Sequence, residues 1–183
     1  MEYKTIFNGE IKIIKSKLFK DYRGYFSEIY NHKNFKKIGI NDNFVQDNIS
    51  YSLNKGTVRG LHFQKPPFGQ SKLIMVTKGC ILDVVIDLRK KSSSYGKYEI
   101  IKISHDSFDS IYIPEYFAHG FCTLVNDTEV KYKVSNYYSK THEQTILWND
   151  DFLSIPWNVN KNELTISEKD KNGILFENFI SPY

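Results

Sequence analysis

The segment Ile81-Leu82-Asp83-Val84-Val85-Ile86-Asp87-Leu88 alternates in the manner of a β-strand. Because successive side chains of a strand point to opposite faces, its even-numbered residues form one wholly apolar face, while Asp83 and Asp87 lie on the other face with Val85. Two carboxylates on so apolar a strand predict either that this second face lines a water-filled cavity or that it meets solvent.

Similar short runs, rich in Val, Ile, Tyr, Phe and Thr and ended by turn-forming residues, recur along most of the 183 residues. They predict strands at 11–16, 25–31, 44–51, 57–64, 72–78, 81–88, 98–104, 110–114, 120–125 and 128–138. Two short helical windows lie at 33–38 and 167–171. With no internal repeat and no linker, the pattern predicts a single all-β domain over residues 1–183, a β-sandwich or barrel with a few short helices and a C-terminal tail.

The composition limits the classes of partner. The formal net charge is +4, and most lysines are scattered between aromatic and acidic residues, so nothing requires nucleic acid, whereas an anionic small substrate suits the balance. No segment approaches the ~20 apolar residues that cross a bilayer, and the start of the chain does not resemble a signal peptide. Cys80 and Cys122 lie in apolar runs, as free buried thiols do. We therefore expect a cytoplasmic protein without a membrane partner.

The segment Thr57-Val58-Arg59-Gly60-Leu61-His62-Phe63-Gln64 contains two side chains suited to chemistry, those of Arg59 and His62. In a regular strand these two side chains point to opposite faces. A β-bulge at Gly60 would bring them to the same face, and glycine is a common residue at bulges. A lone histidine in a strand is more often structural than catalytic, so the case for His62 depends on its companions.

A second histidine, His119, lies in the apolar run 113–121, and the two histidines together raise the question of a metal site. Metal-binding jelly rolls cluster several histidine and carboxylate ligands on neighbouring strands. Here the position two residues after His62 is Gln64, which is a poor metal ligand. We expect a site without a metal, and without a nicotinamide cofactor because no dinucleotide-type glycine fingerprint occurs.

The run 128–138 is rich in tyrosine. In a regular strand Tyr132 and Tyr138 share one face, and Tyr137 points the other way. Most tyrosines in strands take part in ordinary cross-strand packing. Only a neighbouring base would make one of them a proton donor.

A series of motifs follows one another along nearly the whole chain. They are Asp21-Tyr22-Arg23-Gly24-Tyr25-Phe26-Ser27-Glu28, Gln46-Asp47-Asn48, Arg59-Gly60-Leu61-His62-Phe63-Gln64, Gln70-Ser71-Lys72, Asp83-Val84-Val85-Ile86-Asp87-Leu88-Arg89, 113–121 and Ser167-Glu168-Lys169-Asp170. Taken in order, these motifs resemble those of the dTDP-4-dehydrorhamnose 3,5-epimerase family, whose members are metal-free, cupin-type jelly rolls that usually form homodimers.

The resemblance implies a role for each matching residue. His62 is similar to the family's proton-abstracting base, Asp170 to the carboxylate that orients that base, and Tyr132 to the acid on the opposite face of the sugar. Lys72 is similar to the lysine near the sugar ketone, and Tyr138 to the tyrosine that stacks on the nucleotide base. The remaining contacts with the nucleotide sugar are expected from Arg23, Phe26, Glu28, Gln46, Asn48, Arg59, His119, Glu143 and Lys169.

The resemblance also implies how the protein assembles. In relatives, the positions of Arg23 and Glu28 belong to a strand that is exchanged with the partner subunit. We therefore expect a homodimer with strand exchange, in which each subunit helps to build the site of the other. No other macromolecular partner is implied.

The implied activity is a cofactor-independent epimerisation at C3, C5 or both of a nucleotide-linked 4-keto sugar, in the synthesis of a surface polysaccharide. A dTDP-linked 6-deoxyhexose is the first candidate and a GDP-linked 4-keto-heptose the alternative, since Tyr116 stands where relatives commonly have glycine. A ketoisomerase of the same fold would lack the pairing of Lys72 with Tyr132. A non-catalytic sugar-nucleotide-binding jelly roll would lack the base or the acid, and fold alone does not decide between these classes.

Overall fold

The computed structural model describes residues 1–160 and 162–183, and β-strands dominate it. The strands are β1 (Glu2–Ile6), β2 (Ile11–Lys15), β3 (Phe19–Asp21), β4 (Gly24–Phe26), β5 (Gln46–Ser52), β6 (Thr57–Gln64), β7 (Lys72–Lys78), β8 (Cys80–Asp87), β9 (Tyr98–Ser104), β10 (Asp109–Ile113), β11 (Phe117–Thr123), β12 (Thr128–Val134), β13 (Glu143–Thr145) and β14 (Thr165–Ile166). The helices are α1 (His32–Lys36) and α2 (Glu168–Lys171), with 3-10 turns at Phe7–Gly9, His105–Ser107 and Phe176–Asn178.

Two large sheets build the molecule. The first sheet has the strand order β1-β2-β10-β7-β12-β5, and the second has the order β13-β6-β11-β8-β9, with β14 added in parallel to β6. Strands β3 and β4 form a separate antiparallel hairpin. The arrangement is a jelly-roll β-sandwich, which confirms the predicted all-β class.

The main core lies between the two sheets. It contains Ile74 and Ile111 from the first sheet and Val85, Phe117 and Phe121 from the second. Burial of such side chains stabilises the fold by roughly 1.5–3 kcal/mol each. The two sheets are therefore held together by an apolar layer that each of them contributes to.

The C-terminal tail covers the outer face of the second sheet. Trp157, Phe176 and Phe179 of the tail pack with Leu61 and Val84 of the sheet in a second apolar cluster. The first sheet is covered on its outer face by the α1 region, where Phe35 and Ile40 pack with neighbouring strand residues. The tail matters for function, because it carries α2 toward strand β6.

Both faces of β8 are buried in the structure. Its even-numbered side chains pack under the tail, and Val85 packs between the sheets. Asp83 and Asp87 are both fully buried, so the solvent-exposed alternative is wrong. Asp83 bonds His119, a cavity residue, whereas Asp87 pairs with Arg89 away from the cavity.

Several predicted boundaries differ from the structure. The strand predicted at 25–31 ends at Phe26, and the strand predicted at 128–138 ends at Val134. Both segments continue as irregular chain, where asparagine, serine and tyrosine bond loops rather than a neighbouring strand. The short strands β1, β3, β13 and β14 were not predicted, because strands of two to five residues are too short to show a periodic apolar signal. Both helical windows are confirmed.

Candidate active site

A cavity of about 700 Å³ opens between the two sheets. Eleven of the fourteen residues that the sequence nominated line it: Gln46, Asn48, Arg59, His62, Lys72, His119, Tyr132, Tyr138, Glu143, Lys169 and Asp170. The two walls come from different sheets, with Lys72 and Tyr132 on the first and Arg59, His62 and His119 on the second. A ligand in the cavity would therefore lie between facing sets of polar side chains.

A register shift in β6 brings Arg59 and His62 to the same wall. His62 pairs with His119 on β11, whereas Arg59 pairs with Phe121, so β6 contains one more residue than β11 across this interval. Between the two lies Gly60, whose φ of +116° is a conformation that favours glycine. The bulge confirms the alternative in which both side chains face the same cavity.

The imidazole of His62 is paired with a carboxylate. Its Nε2 lies 2.6 Å from Oδ1 of Asp170, which leaves Nδ1 as the other ring nitrogen for proton transfer. Burial acts to raise the pKa of Asp170, but the hydrogen bonds and charge of His62 and the N–H of Gly60 outweigh it and lower that pKa. Asp170 is therefore an anion at neutral pH, and it stabilises His62 after the imidazole has taken a proton.

Helix α2 holds Asp170 in place. Ser167 caps the helix by accepting a hydrogen bond from the N–H of Asp170 at 3.2 Å, and the Gly60 N–H donates to the second carboxylate oxygen of Asp170 at 3.3 Å. Ser167 also lines the cavity and was not nominated from the sequence. The sequence does contain a signal for this serine, because a serine three positions before an acidic residue is typical of a helix N-cap.

Lys72 is a buried cation at the start of β7. Burial lowers the pKa of its ammonium group to about 8, while the charges of Asp83 and Glu143 act in the opposite direction. An ammonium group that is buried away from bulk water is a strong local source of positive charge. It suits the stabilisation of negative charge that develops on a bound oxygen.

Tyr132 stands on β12, in the sheet opposite His62. Burial raises the pKa of its phenol, with the charge of Arg59 acting against the shift and that of Glu143 adding to it. The hydroxyl therefore keeps its proton at neutral pH and can donate it. The imidazole of His62 and the phenol of Tyr132 thus occupy facing walls of one cavity.

The mouth of the cavity carries a bonded cluster. The Tyr138 hydroxyl donates to Glu143 at 2.9 Å, and the Lys169 ammonium lies 2.5 Å from the other oxygen of Glu143. Burial acts to raise the pKa of Glu143, but the hydrogen bonds from Lys169 and Tyr138 lower it. Although β12 ends before Tyr138, Tyr132 and Tyr138 still line the same cavity, because the chain after Val134 turns back over its mouth.

One residue that was not predicted as part of the site bonds a side chain that lines the cavity. Asp83 is fully buried, and its Oδ2 lies 2.7 Å from Nε2 of His119. Its other carboxylate oxygen has no hydrogen-bond partner among the residues that the structure describes. The alternation of β8 marked Asp83 as unusual, but its partner lies on a different strand and could not be read from the pattern.

Three nominated residues lie outside the cavity of their own chain. Arg23 is exposed on the β3–β4 hairpin and pairs with Asp21 at 2.6 Å. Phe26 is 69% exposed, and Glu28 accepts hydrogen bonds from Asn31 and Asn34. Arg23 and Glu28 are the two residues that the resemblance assigns to the site of a partner subunit.

The described residues contain no group of three or more His, Cys, Asp or Glu side chains that could hold a metal ion. In the same part of the chain, no helix is long and apolar enough to span a bilayer. Both cysteines are free thiols, Cys122 buried and Cys80 partly exposed.

Comparison with known proteins gives a consistent result. A family model described as dTDP-4-dehydrorhamnose 3,5-epimerase matches residues 7–178. Proteins of that name from Sinorhizobium fredii and Shigella flexneri are 41% and 44% identical to the chain. The alignments cover 94% of this chain and 88% of the first protein, and 91% of both chains for the second.

Solved structures show the same similarity. The dTDP-4-dehydrorhamnose 3,5-epimerase from Bacillus anthracis, solved with TDP and PPi bound, has a TM-score of 0.92 at 44% identity and covers 96% of this chain and 99% of its own. The dTDP-6-deoxy-D-glucose-3,5-epimerase from Legionella pneumophila, solved with dTDP-4-keto-L-rhamnose, has a TM-score of 0.90 at 35% identity over 96% and 93% of the two chains. The fold is thus the cupin-type jelly roll. The chain belongs to the dTDP-4-dehydrorhamnose 3,5-epimerase family of isomerases.

Proposed function

We propose that this protein inverts C3 and C5 of a dTDP-linked 4-keto-6-deoxyhexose by removing a proton from one face of the sugar and returning one to the other. The observation that carries the proposal is the His62–Asp170 pair on one wall of the cavity with Tyr132 on the facing wall. Inversion at carbon needs a base and an acid on opposite sides of the ring, and this cavity supplies both.

The first step is proton abstraction by His62. A C–H bond beside a ketone is far too weak an acid for a neutral imidazole unless the enolate is stabilised as it forms. As the proton moves to the ring, the C–H electron pair becomes the C–C double bond of the enolate, and negative charge develops on the C4 oxygen. Asp170 stabilises the imidazolium that results.

Lys72 is assigned to the developing oxyanion. Its ammonium group is buried in the cavity wall, where a positive charge interacts more strongly with an enolate oxygen than it would in water. Tyr132 then donates its phenolic proton to the carbon from the opposite face. The same pair of groups serves C3 and C5 in turn, because both carbons flank the C4 ketone. Between the two inversions the His62 imidazolium releases its proton to solvent and the Tyr132 phenolate regains one.

The nucleotide is assigned to the mouth of the cavity. Tyr138, which is 56% exposed, offers a ring on which a base can stack, and Arg59 and Lys169 offer positive charge for the diphosphate. The matched relatives carry dTDP in their names, which favours dTDP over GDP and a hexose over a heptose.

We further propose that the active form is a homodimer in which the β3–β4 hairpin of one copy reaches the cavity of the other. Strand β5 lies at the end of its sheet and lines the cavity, so it has an edge at which a partner's strand can pair. The hairpin exposes Phe19, Tyr25 and Phe26, an apolar set that suits burial in an interface. Arg23, Phe26 and Glu28 would then complete the partner's site.

The alternatives are less well supported. A non-catalytic sugar-nucleotide-binding protein does not need a base paired to a buried carboxylate, and a ketoisomerase does not need an acid on the opposite wall.

We also propose that the reaction takes place in the cytoplasm as a step toward a surface polysaccharide. The two free thiols are in keeping with a reducing compartment.

Incubation with a dTDP-4-keto-6-deoxyglucose in heavy water tests the proposal. NMR should detect deuterium at C3 and C5 and the appearance of the inverted sugar. His62→Asn should abolish both while dTDP binding, measured by calorimetry, is retained. If the unmodified protein introduces no deuterium at either carbon, the proposed function is wrong.

A further inference from the structure

The side chain of Gln64 makes three hydrogen bonds, all of them to two loops at the cavity mouth. It lies on β6 two residues after His62 and is 3% exposed. Its Nε2 donates to the carbonyl of Phe68 at 2.6 Å and to that of Tyr137 at 3.1 Å, and its Oε1 accepts from the N–H of Ser139 at 2.6 Å. A buried amide that makes three such bonds holds the backbone around it in one geometry.

Two of these bonds bracket Tyr138. The chain leaves β12 after Val134, and residues 135–139 follow it outside any strand or helix; we name this segment the Tyr138 turn. Gln64 bonds the residue before Tyr138 and the residue after it, while the Tyr138 hydroxyl is held by Glu143. The backbone and the hydroxyl end of this tyrosine are thus both fixed, although its side chain is largely exposed.

A second set of bonds joins the Tyr138 turn to the loop that contains Phe68. Gln70 donates to the Asn136 carbonyl at 2.7 Å, and Asn136 donates in turn to the Pro67 carbonyl at 3.1 Å. Gln64 lies beneath both loops and bonds each of them. It is the link between the strand that carries the base and the loop that carries the aromatic ring.

We propose that Gln64 is a positioning residue for nucleotide binding, which holds the ring of Tyr138 ready to stack on the base. This inference rests on the proposed function. A ring that is ordered before the ligand arrives loses less conformational entropy on binding, so its stacking contributes more affinity. Because the ring does not touch the reacting carbons, loss of its stacking should weaken the binding of the substrate and of the transition state equally.

The chemistry of the amide makes an isosteric test available. Gln64→Glu keeps the acceptor that faces the Ser139 N–H but replaces the donor with an oxygen that faces two carbonyl oxygens. The bonds to Phe68 and Tyr137 are thereby lost. Gln144→Glu is the matched control, since Gln144 lies on the adjacent strand β13 and makes no side-chain hydrogen bond within the described part of the chain.

The experiment measures dTDP binding by calorimetry, together with KM, kcat and deuterium exchange at saturating substrate, on the full chain. For Gln64→Glu we expect the Kd for dTDP and the KM to rise by about tenfold, with kcat and saturated exchange close to those of the parent. Tyr138→Ala should produce a similar rise. Gln144→Glu should leave all four quantities at the parent values.

Unchanged dTDP affinity in a folded Gln64→Glu protein, when Tyr138→Ala does weaken binding, would overturn the inference and leave the proposed function intact. A fall in kcat with unchanged KM would also overturn it, because that result would mean a role at the reacting carbons. If the unmodified chain fails to bind dTDP, the proposed function falls and the inference with it. Should the glutamate variant fail to fold, Gln64→Met gives the same test without a buried charge.

Discussion

His62 and His119 lie directly opposite each other on antiparallel strands β6 and β11, and each ring is bonded through Nε2 to a buried aspartate. The aspartate of His62, Asp170, comes from the C-terminal tail, whereas that of His119, Asp83, comes from the neighbouring strand β8. Two carboxylate-supported imidazoles thus stand side by side on one wall. Tyr132 stands on the facing wall, on β12 of the other sheet.

Asp170→Asn should lower kcat/KM by about 100-fold or more while dTDP binding is retained. The amide removes the charge that stabilises the imidazolium and can present the wrong hydrogen-bonding group to His62. Steady-state kinetics and calorimetry measure the two effects. Asp150→Asn is a suitable control, because Asp150 is another buried tail carboxylate, and within the described residues it bonds only backbone N–H groups, those of Leu153 and Phe176. Equal kinetic losses in both variants would contradict a specific role for Asp170.

Tyr132→Phe should reduce completed inversion more than deuterium wash-in. His62 can still remove a proton and take deuterium from solvent, but no acid on the facing wall returns a proton to the other side. NMR in heavy water measures both quantities in one sample. If wash-in and inversion decline in the same proportion, Tyr132 is not the acid.

The kcat/KM of the unmodified protein should fall as the pH rises through about 8, because Lys72 loses its stabilising charge there. Burial is the main cause of that low pKa, and the charge of Asp83 opposes it. Asp83→Asn should therefore lower the pKa of Lys72 further and move the basic limb of the pH profile to lower pH. The profile is measured from kcat/KM across pH 6 to 10.

Asp87→Asn is the control for this shift. Asp87 is equally buried on the same strand, but it bonds Arg89, Ser92 and Ser94 instead of cavity residues. Its loss should lower thermal stability and leave the basic limb where it is in the parent. A limb that does not move in Asp83→Asn, or that moves equally in both variants, would rule out the electrostatic role of Asp83.

Mixing Arg23→Ala with His62→Asn tests the exchanged hairpin. If Arg23 serves the partner's cavity, a mixed dimer contains one site with both native residues, and activity returns after subunit exchange. If each chain completes its own site, every site lacks one residue and the mixture stays inactive. Sedimentation velocity on the same sample reports whether mixed dimers can form at all.

Gly60→Ala should destabilise the protein by about 2 kcal/mol or more. A methyl group there would lie 2.5 Å from the Gly120 Cα and 2.7 Å from the His119 carbonyl oxygen, at a φ of +116°. Gly39→Ala is the control, since Gly39 also has a positive φ but has open space around it. Urea unfolding of both variants separates the steric clash from the backbone preference. Equal losses would mean that the contact with Gly120 has no role.

Much of the site could be named from the sequence, since the ordered motifs identified His62, Lys72, Tyr132 and Asp170, and all four line one cavity. The strands with apolar alternation were also predictable, because that pattern follows from the pleat itself. The apolar alternation is weak at β13 and β14, and these strands form by pairing with β6. Their pairing energy comes from a neighbour that is distant in the chain.

Residue types and their spacing along the chain are enough to show which residues can do chemistry and which strands can bury an apolar face. Which of these residues meet depends on the tertiary fold. Arg59 and His62 share a wall because Gly60 packs against Gly120 and shifts the register of β6. Asp170 reaches His62 across 108 residues because the apolar residues of the tail pack on the outer face of the second sheet. Such pairings depend on contacts between distant segments, which no local periodicity encodes.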